Sequence, residues 1–127
     1  MADLRFAAAM AALTLVFVLH SPGARAQSAE AGRRIFQNTC GLCHAAQPGR
    51  NRIGPSLFGV VNRPSGQIPG FNYSEANRHS GLTWTVPMLD RYLAAPSQVV
   101  PGTYMTFPGL KDPEQRADVI AYLATLH

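Results

Sequence analysis

Lysine is almost absent from this chain: Lys111 is the only one in 127 residues, and the rest of the 11 basic side chains are arginines. Charged residues of both signs make up only 14%, and no basic run is interleaved with aromatics, so nothing equips the chain to follow a nucleic-acid backbone. Long apolar runs are scarce too. The one from Phe6 to Leu19 is 14 residues, short of the roughly 20 that a membrane-spanning helix needs. No stretch alternates apolar and polar residues as a half-buried strand does, so a sheet-built fold is not expected. Cysteine is confined to Cys40 and Cys43, which leaves a single pair to account for.

The early part of the chain reads as an export signal. Arg5 opens the uncharged stretch, with Asp3 as the one acidic residue before it, and Ser21-Pro22-Gly23 breaks any helix that follows. Ala24-Arg25-Ala26 then offers the small-x-small pattern of a signal-peptidase site. A cleaved leader over 1–26 and one small domain over 27–127 are expected, with a periplasmic location and no stable membrane insertion after cleavage. Loss of Arg5 and Arg25 together with Asp3 lowers the formal charge of +4 by one, so the sequence pI of 9.6 overstates how basic the mature protein is.

The two cysteines belong to Cys40-Gly41-Leu42-Cys43-His44. In this spacing two thiols can add across the vinyl groups of one porphyrin, and the adjoining histidine then lies under the iron. A C-x-x-C pair alone also suits a redox dithiol, half of a zinc site or an ordinary disulfide. A second paired set of zinc ligands is hard to find, because the other histidines are the scattered His20, His79 and His127. A domain of this size buries only a modest fraction of its surface, so a large apolar cofactor at its centre would stabilise it.

Helical spacing is clear in three places. Gly32, Ile35, Phe36 and Thr39 share one face of a helix over about 29–39, where Gly32 implies either a close helix crossing or a tolerated surface glycine. Thr85 caps a helix that carries Pro87 in its first turn and the stripe Met88, Leu89, Tyr92 and Leu93, and Pro96 stops it. Asp112-Pro113-Glu114-Gln115 supplies an N-cap, a proline at N1 and a capping-box glutamine ahead of Val119, Ile120, Leu123 and Leu126. Ser74 can cap a short helix through Asn77. Elsewhere, glycine and proline imply exposed loop over 44–55 and irregular, wrapped chain over 55–73. The expectation is an all-α domain whose long loops enclose a flat cofactor.

These residues resemble the class I cytochromes c, in particular the mitochondrial and alphaproteobacterial type. The likeness runs from Gly32-Arg33-Arg34-Ile35-Phe36 through Cys40 to His44, then Gly54-Pro55-Ser56-Leu57, Pro69 to Ser74, Ala76-Asn77, Gly81-Leu82-Thr83-Trp84, Tyr92-Leu93, Pro101-Gly102-Thr103 with Met105, and Ile120 to Leu123. It implies one haem c attached through Cys40 and Cys43, with His44 and Met105 as the axial metal ligands. It further implies that Pro55 accepts from the His44 ring, that Tyr73 and Trp84 donate to a buried haem propionate beside Arg63, and that Asn77, Tyr92 and Thr103 form the polar group near the methionine. For Trp84 and Tyr92 plain core packing is the alternative. Gly32, Phe36, Tyr122 and Leu123 match the contact between first and last helices.

The chemistry of Met105 agrees with that assignment on its own terms, since a thioether is a soft, neutral ligand that favours Fe(II) and raises the potential. Met88 competes with it but lies on the apolar stripe of a helix, and His79 or His127 would give a bis-histidine iron. With both axial positions filled, the implied function is a one-electron carrier, a monomer rather than an enzyme, serving redox proteins such as an oxidase, a bc1-type complex, a reaction centre or a periplasmic dehydrogenase. The alternatives are a haem peroxidase or small-molecule sensor with a displaceable distal ligand, and a thiol oxidoreductase using Cys40 and Cys43. The chain departs from the resemblance in one respect. The lysines that ring the haem edge in the mitochondrial type are mostly missing, and Tyr104 precedes Met105, which puts strong electrostatic steering in doubt.

Overall fold

The structure is a computed structural model that describes residues 26–127; the expected leader over 1–26 lies outside these, apart from Ala26. The first helix, α1 (Ala29–Asn38), starts where Ser28 Oγ accepts from the Ala31 amide at 3.1 Å. It crosses the last helix, α5 (Pro113–Leu123). Gly32 is the reason the two come so close: a Cβ there would stand 1.9 Å from the Asp118 carbonyl oxygen and 2.9 Å from the Tyr122 Cβ. The close-crossing explanation of this glycine holds, and the surface one does not. Beside it Phe36 packs on Tyr122 with ring centroids 5.3 Å apart.

Between these helices lie α2 (Glu75–Arg78), α3 (Val86–Ala94) and α4 (Pro96–Val99). The expected caps close on their helices: Ser74 Oγ accepts from Asn77 N at 3.1 Å, and Thr85 Oγ1 from Met88 N at 3.3 Å. The cap of α5 differs in detail, because the Asp112 carboxylate accepts from Glu114 N at 2.8 Å, one amide earlier than the capping box that Gln115 would complete. The sequence gives no warning of α4. Pro96 does end α3, but Ala95 takes an extended conformation and Pro96 then serves as the first residue of a new helical turn.

Phe36, Val60, Trp84, Leu89, Tyr92, Leu93, Val100, Val119, Ile120 and Leu123 form the buried core. No helix among the described residues is long and apolar enough to cross a membrane. The only β feature among the described residues is an isolated bridge of Pro64 to Thr83, flanked by Trp84 N donating to Arg63 O at 2.9 Å and Ser65 N to Leu82 O at 2.8 Å. It ties the irregular chain after Pro55 to the segment before α3. That irregular chain is held from within: Ser56, almost fully buried, donates to the Gln47 carbonyl at 2.6 Å, and Leu57 N reaches Ala45 O at 2.9 Å. Helices therefore make one side of the core, and hydrogen-bonded loops make the other.

Candidate functional site

Where loops and helices face each other they enclose a cavity of about 360 Å³. Cys40, Cys43, His44, Pro55, Arg63, Tyr73, Asn77, Trp84, Tyr92, Thr103 and Met105 all line it. Met88 does not, and packs instead beside the core, as a residue on an apolar helix stripe should. His79 and His127 are exposed and also off the wall.

The chain delivers His44 through a 3-10 turn, Cys40–Leu42, which brings the His44 amide back to the Cys40 carbonyl at 2.9 Å. The imidazole Nδ1 lies 2.7 Å from the Pro55 carbonyl oxygen. In the tautomer that makes this a hydrogen bond, Nδ1–H donates and Nε2 keeps a free lone pair. Burial lowers the His44 pKa from the ordinary value, overriding the opposing effect of Pro55, and the neutral ring that a metal requires is favoured. Behind the ring stands Gly54, where a Cβ would meet three ring atoms at 2.3 to 2.8 Å. Its glycine lets the loop press against the imidazole.

Burial pushes the Cys40 thiol up to about 11, and neither cysteine is in a disulfide. A redox dithiol needs the opposite, a thiolate stabilised near neutral pH, so the thiol oxidoreductase is disfavoured. Nor do the described residues hold a cluster of three or more His, Cys, Asp or Glu that could bind zinc.

Met105 is held by the Tyr92 hydroxyl, which donates to its sulfur at 3.4 Å. Burial raises the pKa of Tyr92, while the neighbouring side chains of Thr103 and Asn77 pull it partly back, so the hydroxyl remains a neutral donor. Asn77 is itself oriented by Ser74, whose hydroxyl donates to Oδ1 at 2.8 Å. The indole of Trp84 rests on Tyr92 at 4.6 Å between ring centroids. Arg63 donates to the carbonyls of Phe58 at 2.9 Å and Ser56 at 3.1 Å, and no carboxylate among the described residues pairs with it. Burial lowers its pKa, and an anion at the cavity wall would offset that cost. Tyr73 accepts from Ile68 N at 3.3 Å, and its ring meets that of Phe71 in a T-shaped contact with centroids 4.8 Å apart.

The rest of the wall is mainly apolar, with Thr39, Ser74, Tyr104 and Thr106 as its further hydroxyl-bearing members. Leu57, Val60, Leu89, Leu93 and Phe107 line it, together with Leu42, Ile53 and Phe71. Helical spacing points to the α3 members but not to Leu42, Ile53 and Phe71, which sit in turns and loops where no period marks a residue of the cavity wall. The donor set fits a haem: a neutral imidazole and a thioether lining one largely apolar cavity, two thiols beside the imidazole in the chain, and a cation without a carboxylate partner among the described residues. A small polar ligand would find little to bind.

Comparison with known proteins agrees. Residues 29–127 match the family model described as Cytochrome c. Cytochrome c2 of Rhodopila globiformis is 55% identical over 95 residues, covering 75% of this chain and 90% of that protein. Cytochrome c of Trypanosoma brucei brucei is 56% identical over 82 residues, 65% of this chain and 88% of the relative. Among solved structures, cytochrome cH from Methylobacterium extorquens superposes with a TM-score of 0.72 at 43% identity, over 77% of this chain and 98% of that one. The chain therefore belongs to the cytochrome c family as a class I soluble monohaem cytochrome c, an electron-carrying protein and not an enzyme, with one haem c attached covalently through Cys40 and Cys43.

Proposed function

We propose that this cytochrome is a periplasmic one-electron carrier whose axial ligands are His44 and Met105. The observation that carries this reading is that both side chains are tethered: His44 to the Pro55 carbonyl at 2.7 Å and Met105 to the Tyr92 hydroxyl at 3.4 Å. When bound, the haem supplies a reversible one-electron couple. The protein holds the ligands still, so that little rearrangement accompanies a change of charge. Leu57, Leu89, Leu93 and Phe107 give the site an apolar lining, and the presence of Arg63, Tyr73 and Trp84 on the same cavity supports their reading as the groups that would receive a propionate. A peroxidase or sensor would need a distal ligand that leaves easily, and the Tyr92 bond works against that.

The test is Met105→His. A low-spin spectrum should be retained while the reduction potential falls, because imidazole favours Fe(III) more than a thioether does. An unchanged potential and spectrum would remove Met105 from the iron. Periplasmic location is supported by the leader pattern over 1–26, and it is checked by the amino-terminal sequence of the protein released by osmotic shock. The donor and acceptor belong to the class of redox proteins already named, an oxidase, bc1-type complex, reaction centre or dehydrogenase. They would meet the edge of the cavity where Leu42, Ile53 and Tyr104 are exposed.

A further inference from the structure

Lys111, the only lysine, is off the cavity wall, and its ammonium is engaged elsewhere. Nζ donates to the Ala94 carbonyl at 2.7 Å and to the Pro108 carbonyl at 3.0 Å. These two acceptors belong to different parts of the fold. Ala94 is the last residue of α3, whose terminal carbonyls have no partner within the helix, while Pro108 lies three residues beyond Met105. A cation at a helix C-terminus is also favoured by the helix dipole.

The same junction is fastened by the backbone. Leu110 N donates to Leu93 O at 2.8 Å, and Gly109, at a φ of 105°, lies so near α3 that a Cβ would stand 2.2 Å from Ala94 O. From α5, Arg116 donates to the Leu110 and Lys111 carbonyls, each at 3.0 Å, and to Asp90 of α3 at 2.7 Å. On the incoming side Met105 N donates to Thr103 Oγ1 at 3.2 Å. Between the two fastenings, Thr106 and Phe107 make no backbone hydrogen bond as donors, and Pro108 has no N–H to offer. The strand of chain that carries Met105 is therefore suspended from its ends.

We propose that Lys111 is a positioning residue for the methionine side of the site, a clasp that fastens the outgoing end of the Met105 loop to the C-terminus of α3 and so sets how often the sulfur leaves its place. The proposal deepens the assignment of Met105 as an axial ligand and rests on it. Because Lys111 is exposed, its loss affects local opening more than global unfolding.

The experiment uses the ferric holoprotein, with imidazole as the probe. At saturating imidazole, the rate of ligand exchange followed by stopped flow reports opening of the loop. Lys111→Met, which keeps the stem and removes the ammonium, should raise that rate about tenfold, the equivalent of one charged hydrogen bond near a surface. Lys111→Arg, which restores donors, should return it to within about twofold. Hydrogen exchange at the Leu110 amide should accelerate in parallel, while the guanidinium unfolding midpoint moves far less. An unaltered exchange rate in Lys111→Met, or a rise no larger than its loss of global stability explains, overturns the proposal. If the unaltered protein lacks the weak red band of sulfur-ligated ferric haem, the Met105 assignment fails and the clasp with it. If the band is present and the rates do not respond, only the clasp fails.

Discussion

Gly54→Ala isolates the support behind His44. The new Cβ would stand 2.3, 2.6 and 2.8 Å from Cε1, Nδ1 and Nε2 of the imidazole, where ordinary contact begins at 3.4 Å. The loop cannot readily back away, because Gly54 N donates to Cys43 O and Gly54 O accepts from Arg52 N, both at 2.9 Å. The ring must yield by roughly 1 Å, since van der Waals repulsion climbs steeply inside contact. That shift breaks or bends the 2.7 Å bond to Pro55. Overpacking costs about 1–3 kcal/mol, and a lost hydrogen bond adds about 1 kcal/mol. Alanine returns about 0.4–1 kcal/mol by restricting the unfolded chain. The net is a loss of about 2 kcal/mol, or roughly 10 °C in Tm for a domain of this size. Guanidinium unfolding of the holoprotein measures the first quantity and redox titration tests the accompanying change in potential, since the Pro55 bond sets the basicity of the ring. Stability within about 0.5 kcal/mol of the parent, together with an unmoved potential, would show that the ring is not held as the geometry requires.

Replacing Cys40 and Cys43 together by alanine should abolish covalent haem, visible as loss of the haem mass after denaturation, and leave an apo chain largely unfolded by circular dichroism. A cooperative unfolding transition in that apo chain would show that the loops fold without their cofactor. For partner recognition, the bimolecular rate of electron transfer with the cognate partner should fall only weakly across a salt series, and Tyr104→Lys should steepen the dependence. A steep dependence in the parent, unaltered by the lysine, would return recognition to the arginines.

Much of this fold could be read where backbone chemistry is local. Ser74, Thr85 and Asp112 announce helix starts because a short polar side chain satisfies an orphan amide, and each of them caps a helix here. α4 escaped because a proline serves equally as a stop for one helix and as the first residue of the next. Gly32 could be placed on a face but not explained until Asp118, 86 positions away, came against it. The cavity divides in the same way. Its chemically distinctive members were nameable one by one. Ile53 and Phe71 were not, because a place on the cavity wall, for a loop residue, depends on hydrogen bonds such as those of Ser56 and Asn51, which leave no period in the sequence. Lys111 was conspicuous only for standing alone, and its use depends on where α3 happens to end.

How much surface charge is left for a partner follows from contacts of the same kind. Arg33 and Arg34 both bind Glu30, at 3.0 Å each, so one carboxylate offsets part of their charge. Arg52 donates to the Gly41 carbonyl at 2.5 Å, and Lys111 is committed to α3 and Pro108. At the mouth itself, Leu42, Ile53 and Tyr104 are 66%, 78% and 70% exposed. A partner approaching here loses little by screening, because Coulomb attraction beyond a Debye length of about 8 Å is already weak at physiological salt. It gains by removing three apolar side chains from water, at about 25 cal/mol per Å². Electron-transfer contacts are small, below about 1,200 Å², so three such residues form a large share of one. Scarcity of lysine and exposure of apolar side chains thus lead to one expectation, which the salt series tests: recognition by desolvation at close range, with arginines such as Arg50 supplying a modest bias in approach.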